Sequence, residues 1–491
     1  MLAIANVQVT AHVKVFRQYP LAPGPEVMVI RLAFAVCGAA SLAGCATYRP
    51  APLAPAEIAQ TYQKRTLDAA SVAAEVKRIA PTSNWSGASW DRLSLFAVAL
   101  RSSPAIAEAR AHVTSLDATA KAAKVGPAMT LTLTAEYAGN APESSPWLYG
   151  VASDIQLDIG ARRTSRIDTA HLAVVVARYD YAETMWASRM AIRRALAEQM
   201  LTTREIEIGQ KLAEVRTRQV TALERRVEGG EAVRSDLERV RAEAAGDARR
   251  VVDAEARRMA AQAALAEAIG APPSTLKDAT VSWDGFETGL ALGPDVAALR
   301  NSALLARADV LRAAAAYDQA EAQLRGEIAR QWPEIHVGPG YTWERGLVKL
   351  PFALGLVLPP LDLNRSAIAA AEAQRAEAGT RLEAVIARAA AAMDAALIER
   401  DAARAALTRV RAVDVQTATR VAAQADEQLA GGAIDRVDWS AAQAGLRLAE
   451  LAEIDALRRV HAADAALGDA LRRPLEGPEL LIAPQAMENR P

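Results

Sequence analysis

Residues 228–237 read Glu228-Gly229-Gly230-Glu231-Ala232-Val233-Arg234-Ser235-Asp236-Leu237, and residues 430–439 read Ala430-Gly431-Gly432-Ala433-Ile434-Asp435-Arg436-Val437-Asp438-Trp439. The second stretch lies 202 positions after the first, and in each an aspartate stands six residues beyond the second glycine. Two more pairs keep nearly that spacing. Leu157-Asp158-Ile159-Gly160 matches Leu361-Asp362-Leu363-Asn364 at 204 positions, and Leu265–Gly270 loosely matches Ala463–Gly468 at 198. A near-constant offset sustained along the chain marks an internal repeat. The chain therefore reads as two tandem copies, 91–270 and 295–472, joined by a connector at 271–294 and followed by a tail at 473–491.

Each copy carries the same parts. A helix comes first, Pro104–Lys124 in copy one and Asp295–Arg330 in copy two; Ser103-Pro104 supplies an N-cap and a proline at the first helical position. Two alternating segments follow, predicted as strands 129–137 and 147–158, then 334–343 and 348–358. Leu131, Leu133 and Tyr137 oppose Thr130, Thr132 and Thr134, and Ile335, Val337, Tyr341 and Trp343 oppose His336, Gly338, Gly340 and Thr342. Period-two alternation over about 9–11 residues is the signature of a membrane-spanning strand. A proline-free run follows each pair, Ala161–Glu228 and Arg365–Ala430. Each predicts a helix of about 100 Å at 1.5 Å per residue. Leu382, Ile386, Ala389, Met393 and Ala396 step by four and three, a coiled-coil seam. The paired glycines then reverse the chain at tips 229–236 and 431–438, and shorter helices return over Val233–Ile269 and Val437–Arg472.

Composition agrees. The chain of 491 residues is 51% hydrophobic but only 4% aromatic, because alanine runs such as Ala313–Ala316 and Ala389–Ala392 inflate the total. Alanine favours long, closely packed helices over a bulky core. The net charge of −1 gives no basic face for nucleic acid, and two cysteines make neither a disulfide framework nor a cysteine zinc site. Beyond residue 45 no apolar run of about 20 residues offers a transmembrane helix. The segment Val29–Gly44 is short, apolar and ends in Ser41-Leu42-Ala43-Gly44-Cys45, as a signal peptide does. Its ending resembles the lipobox of bacterial lipoproteins, which implies cleavage before Cys45 and a covalent lipid on that residue. Residues 28–44 would then be the signal peptide and 1–27 an over-read start. Residues 45–90 form the lipid-anchored N-terminal tether, extended over 46–60, where Pro50, Pro52 and Pro55 fall.

Four strands cannot close a barrel, since the smallest has about eight. An open sheet in lipid leaves unpaired backbone groups, so several chains must contribute to one barrel. Here the sequence resembles the TolC-type outer-membrane efflux channels over nearly the whole mature chain. The matching residues are Gln156–Arg163 and Glu228–Leu237 in copy one, with Leu358–Ile368 and Gly432–Asp438 in copy two. The family has phenylalanine where Leu361 stands. Asp362-Leu363-Asn364-Arg365 is most similar to the branch serving cobalt–zinc–cadmium resistance pumps. The resemblance implies a mainly α protein with a small transmembrane β part, assembled as a homotrimer with a twelve-stranded barrel above a helical tunnel. It also implies a periplasmic adaptor, an inner-membrane transporter of RND type, and an outer-membrane location.

The same resemblance places acidic residues at the periplasmic constriction. Asp438 matches, and Asp236 is its counterpart; Arg436, Arg234 and Arg239 are candidate ion-pair partners that would lock the closed state. Carboxylates gathered near one axis favour cations, although an aspartate at a helix start is equally explained by the helix dipole. Gly229, Gly230, Gly431 and Gly432 are expected to turn the chain, and by resemblance an adaptor docks at these tips. The histidines, His12, His112, His171, His336 and His461, are scattered without ligand spacing, and no GxSxG, P-loop or GxGxxG sits in a strand–turn–helix setting. The expectation is a channel that performs no chemistry and needs no metal or cofactor apart from the lipid. The rival reading is a soluble periplasmic coiled-coil scaffold or adaptor.

Overall fold

The computed structural model describes residues 48–139, 145–158, 160–289, 296–344 and 346–483. Cys45, the signal segment and residues 484–491 lie outside them, as do Ile159 of the first repeated motif and Asp295. Of the described residues, those up to Gln60 form a unit apart from those that follow. In its described part the chain is irregular to Ala54 and then enters α1 (Pro55–Gln63), which has no buried residue. The tether predicted as extended over 46–60 is thus helical from Pro55. From Ala69 the segment is no tether at all, because α2 (Ala69–Ile79) buries Val72, Val76 and Ile79 in the main core.

The repeat then unfolds as expected, with corrections at its joints. Copy one runs α3 (Arg92–Ser102), α4 (Pro104–Ala123), β1 (Thr130–Tyr137), β2 (Trp147–Gln156), α5 (Ala161–Glu228) and α6 (Arg234–Ile269). Copy two runs α7 (Val296–Ala306), α8 (Ala308–Ala329), β3 (Glu334–Glu344), β4 (Leu347–Lys349), β5 (Phe352–Val357), α9 (Arg365–Arg409), a π-helical segment Val410–Val415, α10 (Gln416–Ala430) and α11 (Arg436–Leu471). Helix α5 alone has 68 residues, and it packs against α4, α6, α8 and α11. Ala389, Met393 and Ala396 of the predicted seam are buried.

Two predicted elements are divided. The helix expected over Asp295–Arg330 breaks at Arg307, whose ψ of 134° is extended. In copy one the same corner falls at Ser103, where Pro104 disfavours a helical conformation in its predecessor. Copy two has no proline at this corner. Instead the buried Arg307 guanidinium donates to Asp309 at 2.9 and 2.7 Å and to the Ala470 carbonyl of α11. The strand expected over 348–358 appears as β4 and β5, both paired with β3. The register runs unbroken, with Thr342 opposite Lys349 and Pro339 opposite Phe352. Only the ladder is interrupted, because Pro351 accepts from Gly340 N–H at 2.8 Å but has no N–H to give back.

The repeated Leu157–Gly160 and Leu361–Asn364 motifs are the strand-to-helix junctions. Gly160 has φ +69° and ψ −145°, a conformation open essentially to glycine alone, and Asn364 has φ +60° and ψ 20°, the left-handed conformation that asparagine tolerates best among residues with a side chain. Asn364 is held there by its side-chain amide, which donates to the Glu327 carbonyl at 2.8 Å.

The connector and the tail complete the core. Trp90 bridges Val281, and Trp283 and Phe286 are buried beside α3, which is covered from Arg92 to Leu100. The start of the tail belongs here too: Glu479 is buried, and Ala483 N–H donates to Ile79 O at 2.9 Å.

Candidate functional site: the strand face and the hairpin tips

The two strand pairs form one antiparallel sheet in the order β1-β2-β3 with β4 and β5 beyond. The copies meet at β2–β3, where Val151 faces Tyr341 and Tyr149 faces Trp343. Register therefore aligns the alternation across the sheet. One face carries rows such as Leu133–Val151–Tyr341 and Ile155–Val337–Leu354. These side chains have little to pack on within the chain; Leu133 is 58% exposed and Leu354 63%. Tyr137 meets Trp147 edge-on at 4.9 Å between ring centroids, and Trp147, Tyr149 and Trp343 then stack successively at 5.6 and 5.9 Å. These aromatics make one band at one end of the sheet, as interfacial belts do. The opposite face holds Thr132, Thr134, Asp154, His336 and small residues. The outer edges, β1 and β4/β5, pair with nothing among the described residues.

Each hairpin tip is a Schellman turn, built identically twice. Glu231 N–H donates to Arg226 O at 2.7 Å, and Ala433 N–H to Gln428 O at 2.8 Å. Gly230 and Gly432 take φ +76° and +71°, so the second glycine of each pair is the one the turn requires. Asp236 and Asp438 sit exposed in the first turns of α6 and α11, and neither forms an ion pair among the described residues. Arg239 pairs with Glu243 at 2.8 Å rather than with an aspartate, and Arg234 and Arg436 are exposed. Sequence reasoning missed Asp435. Its carboxylate accepts from the N–H groups of Val437 and Asp438 at 2.8 and 2.9 Å, capping α11, and it also pairs with Arg226 of copy one. The two tips are joined further by Val437, which packs on the Leu223, Leu237 and Val240 cluster. The signal was legible: an aspartate immediately before a helix is the preferred cap.

A third feature is a buried ionic cluster far from both surfaces. Arg92 reaches Glu476 at 3.3 Å and Glu479 at 3.7 Å; Arg189 reaches Glu479 at 3.3 Å and Arg193 reaches Glu476 at 2.7 Å. His461 lies beside them, stacked on Phe286, with Nε2 donating to the Phe286 carbonyl at 2.9 Å. Its Nδ1 is buried without a partner. Burial, aided by the neighbouring Arg193 and Arg92 charges, pushes the imidazole down to about 4 from 6.5. The unfolded chain thus takes up this proton near the ordinary value, the folded chain only near the depressed one. Nothing is lost above the upper value, and stability falls as pH drops through the interval, by about 3 kcal/mol in all. His461→Gln should lose less stability than wild type between pH ~7 and ~5 in thermal denaturation, by about 2 kcal/mol. Equal losses would contradict this account.

Among the described residues no group of three or more His, Cys, Asp or Glu could hold a metal ion, and no helix is long and apolar enough to cross a membrane. No curated protein matches the chain. The fold is similar to that of the outer membrane protein VceC of Vibrio cholerae, at 19% identity and TM-score 0.64, covering 78% of this chain and 97% of that one. It is also similar to CusC, at 16% and 0.64 over 77% and 91%, and to the open state of the MtrE outer membrane channel of Neisseria gonorrhoeae, at 17% and 0.64 over 78% and 89%. Residues 95–271 and 299–471, which take in most of both repeats, match the family described as outer membrane efflux protein. With two strand pairs, two long hairpins and both copies matched, the chain belongs to the outer membrane efflux protein family.

Proposed function

We propose that three copies of this chain close one barrel, each sealing its β1 edge on the β4/β5 edge of a neighbour. As a member of its family the chain is an exit duct for efflux across the outer membrane. The observation that carries the trimer is the sheet itself, apolar on one face and unpaired at both edges. Lipid tolerates neither an open edge nor four strands alone. The duct catalyses nothing; an inner-membrane transporter of RND type supplies the energy, and a periplasmic adaptor docks at the glycine tips. Asp438 and Asp236, exposed and without an ion pair among the described residues, would ring the periplasmic gate. Cys45 would bear the lipid that anchors the tether. The cargo is heavy-metal cations or small organic molecules, and the Asp362–Arg365 motif favours the first.

One fractionation tests the assembly and the anchor together. Metabolic labelling with palmitate, then sizing of the detergent extract, should give a labelled trimer in the outer-membrane fraction, with the label abolished in Cys45→Ser. A soluble monomer without label would refute the reading and favour a periplasmic scaffold. A metal and drug susceptibility panel on a deletion strain would separate the two classes of cargo.

A further inference from the structure

The polar face of the sheet holds one cluster that the conduit reading does not use. His336 of β3 places Nδ1 at 3.0 and 3.2 Å from the two carboxylate oxygens of Asp154 on β2. A carboxylate only accepts, so Nδ1 carries the hydrogen and Nε2 of the neutral ring is a bare lone pair. That Nε2 is shielded from solvent, has no hydrogen-bond partner and faces Glu334 Oε2 at 3.9 Å. Glu334 in turn accepts from Gln156 Nε2 at 3.1 Å and pairs with Arg162 from the first turn of α5. Across the strand on the other side lies Gly355, whose Cβ, if present, would come within 3.2 Å of His336 Cβ. Its neighbours facing the same way, Ala353 and Val357, carry no charge. The adjacent Asp158 is already neutralised by Arg166.

The geometry points to a proton-dependent charge ring inside the barrel, with His336 as a residue that sets the ion selectivity of the duct. This rests on the trimeric barrel proposed above, in which the apolar face meets lipid and the polar face lines the lumen. With the imidazole neutral, Asp154, Glu334 and Arg162 leave one net negative charge per chain. With a proton on Nε2, that N–H faces Glu334 and the cluster is neutral. The trimer's ring therefore goes from three net negative charges to none. A ring of fixed charge enriches ions of opposite sign within a screening length, which grows from about 10 Å at 0.1 M salt to about 30 Å at 0.01 M. The ligands are small cations in transit, held by field and not by chelation.

The test uses the purified full-length chain in planar lipid bilayers under a KCl gradient of about 10 to 100 mM. The ratio of potassium to chloride permeability should fall about twofold or more from pH ~8 to pH ~5. His336→Gln should remove the part of that fall that the ring contributes, and His336→Lys should show the lowered ratio already at the higher pH. The gate residues are the same in all three proteins, so the difference between them reports this cluster. Open pores in which His336→Gln and wild type respond equally would overturn the inference while leaving the barrel standing. A chain that forms no pores would overturn the barrel and the inference with it.

Discussion

Leu133→Arg should abolish assembly into the outer membrane, whereas Thr132→Arg, one residue earlier on the same strand, should be tolerated. Leu133 is 58% exposed within the chain, and in a soluble protein such a site accepts arginine at little cost. In this sheet it lies mid-strand on the apolar face, in register with Val151 and Tyr341. An arginine facing lipid at mid-depth costs about 2–4 kcal/mol per chain. A trimer presents three, so the sum approaches the entire stability of many proteins. Thr132 points to the polar face, where an added cation meets water. The measurement is the amount of each variant recovered as trimer from the outer-membrane fraction. Equal recovery of the two variants would remove the argument that this face meets lipid, and with it the main physical distinction from a soluble scaffold.

Glu479→Ala should be the most damaging substitution away from the membrane. Glu479 is 4% exposed and serves two guanidiniums, those of Arg92 and Arg189. Arg92 is 2% exposed and lies 4.1 Å over the Trp283 ring. Burial already pulls its guanidinium below the ordinary arginine value, and Glu479 is the strongest influence opposing that pull. Removing the carboxylate strands buried positive charge, which costs about 3–5 kcal/mol. Glu476→Ala should cost less, since Glu476 is more exposed and water can take its place. Thermal unfolding of the detergent-solubilised trimer measures both. A Glu479→Ala protein that melts like wild type would show that the cluster is neutral to stability.

The parts of the fold that were legible in the sequence are those fixed by local geometry. Paired glycines, alternating strand residues and the Gly160 and Asn364 junctions each answer to a backbone need within a few residues. The repeat doubled every such signal, which is why strand positions and tips were placed closely. What stayed hidden depends on partners far along the chain. The contacts of Arg92 with Glu476 and of Arg189 with Glu479 span 384 and 290 residues, so no spacing rule could pair them. The π-helical turn at Val410–Val415 is likewise absent from the proline-free pattern that predicted an unbroken helix. Of the candidate site, the tips and polar strand face were visible. Asp435 was overlooked because attention fell on the repeated aspartate three residues later, whereas only copy two has a carboxylate at the cap; Val233 fills that place in copy one.

The corner at Arg307 bears on how the protein is made. The corresponding corner in copy one is written into the chain by Pro104 and is available as soon as those residues leave the ribosome. The corner in copy two is held by a carbonyl at residue 470, near the end of α11. Arg307 also reaches Asp309 locally, but until that helix has been synthesised and docked the corner lacks its anchor on α11, and alanine-rich sequence on both sides favours one straight rod. The two copies of a duplicated protein therefore hold the same corner by different means, the first by a proline in place and the second by a contact that closes when the last helix docks. Truncation within α11 would then leave the second half without its corner while sparing the first.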